Sequence, residues 1–178
     1  MVDKTQKGVA RGAAPAVLTC VAGLVIAASL TPYYLEQSVT LHDRLRIAAF
    51  ATLAPILSLI FCIARLANHR FFTAEDINGS GLTHGTDRAK LLQALLQNTL
   101  EQATIAIAVY FCGAVVFPRD YLGALVAGGV MFLIGRIAFF VGYKNGAPSR
   151  AFGFGLTFYP TVFLIAGAIY FLVMGSGL

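Results

Sequence analysis

The stretch 121–143, YLGALVAGGVMFLIGRIAFFVGY, carries a single charged side chain, Arg136. It is long enough to cross a membrane, since a span needs roughly 20 mostly apolar residues to traverse a hydrocarbon core about 30 Å thick. Working outward, four more stretches meet the same test: 15–34, 47–64 and 151–178 carry no charge, and 91–117 carries only Glu101. All are rich in Ala, Leu and Gly and lack the apolar–polar alternation of a membrane β-barrel. The pattern therefore predicts an all-α polytopic membrane helical bundle.

Composition excludes the alternatives. The chain is 58% hydrophobic and 12% charged, with a mean hydropathy of +0.77. A soluble domain carries roughly 25% charged residues to solvate its surface. Cys20, Cys62 and Cys112 all lie within apolar stretches and form no CxxC pattern, so they read as small apolar side chains. No metal-ligand spacing, no Ser-His-Asp set and no phosphate loop is present, and no metal residue is assigned.

Basic residues set the expected orientation. With the N-terminus in the cytoplasm, the inner segments 1–14, 65–90 and 144–150 hold Lys4, Lys7, Arg11, Arg65, Arg70, Arg88, Lys90, Lys144 and Arg150. The outer segments keep Arg44, Arg46 and Arg119, and the C-terminus emerges on the side opposite the N-terminus. This bias accounts for the net charge of +5 and the pI near 9.3 without a nucleic-acid partner. The basic residues ahead of 15–34 also fit a signal peptide, but the stretch is read as a true span.

The inner connection 67–90 is the one long polar segment. Asp76, Asn78, Ser80, Gly81 and Asp87 match positions 1, 3, 5, 6 and 12 of a calcium-binding loop. Position 12 is Asp rather than the bidentate Glu, and Thr83 stands where such loops pack an apolar residue. The simpler reading is an Asx turn over 76–79 and a helix N-cap at Thr86 or Asp87.

Ionisable groups within spans cost about 2.5–3.5 kcal/mol each on insertion scales. Glu101 and Arg136 lie at similar depths, about 16 Å and about 12 Å from the inner helix ends, so an ion pair between them is expected. Asn98, Glu101 and Gln102 share one face of their helix, and Arg136 and Tyr143 share a face of the next. These residues predict a polar pocket in the inner half of the bundle, rimmed by Arg65 and Arg150. Either the groups satisfy one another and lock the helices, or they form an anionic-ligand site open to the cytoplasm.

The spacing N-x-x-E at Gln97-Asn98-Thr99-Leu100-Glu101, then R-x6-Y from Arg136 to Tyr143, then Pro148-Ser149-Arg150, resembles the MAPEG family. These are the membrane-associated proteins in eicosanoid and glutathione metabolism. The resemblance implies a four-helix bundle over 47–178; the cytoplasmic tail at 1–14 and the extra transmembrane helix with its outer loop at 15–46 lie ahead of it, outside the family's usual four-helix plan. It also implies a homotrimer that binds glutathione between subunits near the cytoplasmic face. By the same resemblance Arg65, Asn98, Glu101 and Tyr143 hold the tripeptide, Arg136 joins their pocket, and Arg150 is the catalytic residue facing the sulfur. Ala94 and Phe139 depart from the family's glutathione-binding pattern, which has arginine and tyrosine there.

Three functions follow as expectations. The first is a glutathione-dependent transferase or peroxidase acting on a lipophilic small molecule dissolved among membrane lipids. The second is a non-catalytic lipid-binding or scaffold member. The third, a small transporter relaying protons through Glu101, is disfavoured by the absence of an internal repeat or broken helices.

Overall fold

The computed structural model describes residues 3–79 and 81–175. Five long helices run antiparallel in sequence: α1 (Lys4–Tyr34), α2 (Leu41–Phe71), α3 (Asp87–Val116), α4 (Gly123–Gly142) and α5 (Ala147–Gly175). One-turn 3₁₀ segments at Arg119–Tyr121 and Tyr143–Asn145 flank α4. All five spans are long and apolar enough to cross a bilayer, which bears out the all-α polytopic bundle.

The helices extend beyond the apolar stretches. The expected tail at 1–14 is helical from Lys4, and α2 begins at Leu41 rather than 47. Residues 1 and 2 of that tail, and 176–178 of the last expected span, lie outside the described residues. Hydropathy marks only the hydrocarbon-embedded length, whereas helices of 30 or 31 residues reach about 45 Å, through the headgroups as well. Polar caps stop them there. Asp3 and Gln6 form a capping box on α1, and Thr40 and Asp43 form one on α2. At the far end of α3, Arg44 donates from Nη1 to the carbonyls of Ala114 (3.1 Å) and Phe117 (2.7 Å). That guanidinium satisfies orphan carbonyls and opposes the negative end of the helix dipole.

Helix α4 is the centre of the bundle, in contact with each of the others. Small residues let it approach them closely. A methyl group at Gly129 would sit 2.6 Å from the carbonyl oxygen of Ala51 on α2. One at Gly153 on α5 would collide with the backbone of Phe139, so α4 and α5 touch main chain to main chain. Helix α1 packs on α5 and α4 but does not touch α2. It is pinned at its C-terminal end, where Gly123 N donates to Thr31 Oγ1 (3.1 Å). Arg119 also donates to the backbone carbonyls of Pro32 (3.1 Å), Leu35 and Glu36 (2.7 Å).

The connection between α2 and α3 adopts the turn-and-cap form. Gly79 N donates to Asp76 O (3.0 Å), and Thr86 caps α3 by accepting from Ala89 N (3.2 Å). Ser80 lies outside the described residues. The Asp76 carboxylate is buried, and its oxygens take Thr86 N (2.8 Å), Thr86 Oγ1 (2.6 Å) and His69 Nε2 (2.9 Å). Both oxygens are thus engaged within the protein. The Thr86 hydroxyl, with smaller help from the Thr86 amide and His69, holds the Asp76 carboxyl below the usual carboxylate range.

Two expectations follow. Gly153→Val forces the α4–α5 backbones apart and lowers stability by at least about 1–3 kcal/mol, the usual overpacking range; denaturation in mixed detergent micelles reads it. A depressed carboxyl pKa stabilises the fold above its unfolded value and loses that contribution as pH falls through the folded one. The 72–86 loop should therefore stay protected from amide exchange at neutral pH and open only in acid below the ordinary carboxylate range. Asp76→Asn should open it at all pH values.

Candidate functional site

The polar interior is organised around Arg136, whose side chain is 1% exposed. Its Nη1 donates to Asn98 Oδ1 on α3 (2.8 Å), and its Nη2 donates to Thr157 Oγ1 on α5 (2.7 Å). The guanidinium also lies over the ring of Phe139, 4.3 Å from the centroid. These contacts replace the lost hydration of a buried cation with two oxygen acceptors and an aromatic face. Nε remains without a partner among the described residues.

The expected ion pair between Glu101 and Arg136 is not formed. Glu101 is exposed on the bundle exterior, where it accepts from Gln97 Nε2 (2.9 Å). The expectation that Asn98 and Glu101 share one environment fails because three residues rotate the helix by about 300°, which leaves them about 60° apart. That offset turns Asn98 inward and Glu101 outward. Neutral acceptors meet the arginine instead, avoiding the desolvation of a second charge.

The contact with Arg136 fixes how Asn98 is presented. A guanidinium offers only donors, so the amide oxygen must face it, and the NH2 group is left for other acceptors. Asn98 lines a cavity of about 350 Å³ with Phe139, Tyr143, Arg150, Phe154 and Tyr159. Val9 and Ala13 of α1 close one side of it. The Arg150 guanidinium stacks on the Tyr143 ring at 4.3 Å, since both residues sit at the tight α4–α5 turn. The lining holds an amide, two phenols and one guanidinium but no carboxylate. Such a donor set suits an anion.

Arg65 lies apart from that cavity. It lines an adjoining cleft of about 200 Å³ with Cys62, Arg88, Lys144 and Tyr143, and its guanidinium rests over Phe61 at 5.5 Å. Tyr143 is common to both spaces. The structure thus joins Asn98, Tyr143 and Arg150, puts Arg136 behind Asn98, places Arg65 next door, and leaves Glu101 and the buried Gln102 out of both linings. Thr157 was not anticipated. A lone hydroxyl within an uncharged span is invisible to a search for charged groups, although a threonine there can cap a buried cation as well as its own helix.

The geometry defines the class: a multi-pass integral membrane protein built as an all-α bundle with a donor-lined cavity at one end. A model of the MAPEG family matches residues 45–170, and the chain belongs to that family. Helix α1 lies ahead of the matched segment. A search of curated proteins found no match.

The Arg136 contacts make one expectation. Thr157→Val keeps shape but deprives a buried cation of an acceptor, which should lower stability by about 1.5–3 kcal/mol. A substitution as mild as Thr161→Val one turn away, where the hydroxyl meets only its own helix, should cost clearly less in the same detergent unfolding assay.

Proposed function

We propose that the Asn98–Tyr143–Arg150 cavity binds glutathione and activates its thiol for attack on lipophilic electrophiles dissolved in the bilayer. The observation that carries this reading is the convergence of the Asn98 amide NH2, oriented by Arg136, with the Tyr143-stacked guanidinium of Arg150. Asn98 donates to a carboxylate or carbonyl oxygen of the tripeptide. Arg150 sits beside the sulfur and favours its ionised form, because a nearby positive charge lowers a thiol pKa from about 8.5 by one or more units. The thiol proton leaves to solvent. The thiolate then forms the new carbon–sulfur bond as the electrophile's leaving group departs or its strained ring opens. Arg136 acts as a positioning residue.

The N-terminus is taken as cytoplasmic, which puts the cavity at the inner face and the C-terminus on the opposite side. The protein is taken as a homotrimer. In that assembly the outward side chain of Glu101 and the neighbouring Arg65 cleft are the parts available to a second subunit, and Glu101 supplies the carboxylate that the cavity lacks within one protomer.

A second reading, a non-catalytic lipid-binding or scaffold member, is favoured by Ala94 and Phe139, where a charge and a hydroxyl of the family's binding pattern are missing. The two part company at Arg150. On the first reading, protein purified in detergent and mixed with millimolar glutathione shows the ultraviolet absorbance of a thiolate, and Arg150→Leu lowers the thiolate fraction at neutral pH about tenfold. Asn98→Ala weakens glutathione binding by about tenfold or more. Neither binding nor thiolate in the unsubstituted protein, with retained binding of an acyl ligand, would establish the second reading instead.

A further inference from the structure

A second space lies at the other end of the bundle, away from Asn98, Tyr143 and Arg150. Where the α1–α2 turn meets α2 runs a groove of about 760 Å³, lined by Tyr34 at the end of α1, by residues of the turn, by one face of α2 and by Val126 of α4. Ile47, Phe50 and Leu53 of α2 descend its side, and Phe50 and Leu53 are 61% and 49% exposed, so the groove is open outward from the bundle. From Arg46 at the mouth to Leu53 the groove deepens by about 10 Å, seven residues of helix rise. The volume falls within the range of roughly 300–1,000 Å³ of small-molecule sites.

The mouth is charged and preformed. Glu36, Asp43 and Arg46 line it. Glu36 and Arg46 make no ion pair among the described residues. The carboxylate of Asp43 is turned to the Thr40 cap, accepting from its amide (3.1 Å) and hydroxyl (2.6 Å). The loop that carries Glu36 is held by Arg119 through three backbone carbonyls. Two carboxylates and one guanidinium give this mouth a formal charge of −1, which opposes a purely anionic headgroup. It complements a headgroup with both a phosphate, for Arg46, and a primary ammonium, for Glu36. An ammonium offers three hydrogen-bond donors, whereas a quaternary amine offers none.

We infer that the α1–α2 groove is a binding site for an aminophospholipid of the ethanolamine type. Its ammonium meets Glu36, its phosphate meets Arg46, and the upper part of one acyl chain lies over Val126 between Leu53 and the end of α1. Tyr34 at the end of α1 and the turn that carries Glu36 precede the family-matched residues 45–170, so this part of the mouth lies outside the matched segment. The site is independent of the thiol reading and lies at the opposite end of the bundle.

The test is lipid retention. The full chain is reconstituted into vesicles of equal parts phosphatidylethanolamine, phosphatidylglycerol and phosphatidylcholine, extracted in mild detergent, and weighed by native mass spectrometry. The expected result is one phosphatidylethanolamine per protomer, retained several-fold over either of the other two lipids. Glu36→Lys should abolish or invert the preference over phosphatidylglycerol, and Val126→Trp, which fills the floor, should lower retention of every lipid. Helix content and oligomeric state, measured alongside, show that each variant is folded. Equal retention of all three lipids by the unsubstituted protein overturns the assignment, as does a Glu36→Lys variant that still prefers phosphatidylethanolamine. A Leu53→Cys variant that forms a disulfide between protomers in the membrane also overturns it, since the groove is then covered by a second copy.

Discussion

A cation placed in hydrocarbon must find its partners within the protein, and the bundle is arranged so that Arg136 does. The side chain comes from α4 and takes an amide from α3 and a hydroxyl from α5, with an aromatic ring of its own helix beneath it. Three helices thereby meet at one group. The same contact decides which end of the Asn98 amide looks into the cavity, so a structural requirement of burial also sets the chemistry offered to a ligand. The close main-chain packing of α4 on α5 is what brings Thr157 within reach, and it depends on glycine at Gly135 and Gly153.

The architecture was legible because lipid imposes a strong demand: backbone polar groups in hydrocarbon must be satisfied within each span, and long uncharged runs leave helices as the answer. The helix ends were less legible. Hydropathy falls at the headgroups while the helices continue, and the caps Asp3 and Thr40 lie beyond the apolar runs. A cap at Thr86 or Asp87, by contrast, was legible, since both precede a helical pattern directly after a turn-rich segment, and the hydroxyl of Thr86 is the group that takes the role.

Within the site, residue types carried more information than their pairing. Asn98, Tyr143 and Arg150 do converge, while Glu101 parts from Arg136 despite similar depth along the membrane. Depth is a one-dimensional coordinate. Pairing also requires the azimuth of each helix, which tertiary packing fixes and periodicity leaves free. Thr157 was missed for a related reason: hydroxyls in apolar helices usually bond their own backbone, as Thr161 does, and nothing local distinguishes the one that serves a neighbour.

The clamp formed by Arg119 also bears on the order in which the molecule is made. The turn between α1 and α2 leaves the ribosome well before its fastening, since the guanidinium that ties it down is encoded 83 residues after Glu36. Until that side chain arrives, the α1–α2 hairpin lacks both Val126 of α4 beside its groove and its fastening. Biogenesis therefore completes the shape of this hairpin late, when the α3–α4 turn reaches back to the α1–α2 turn.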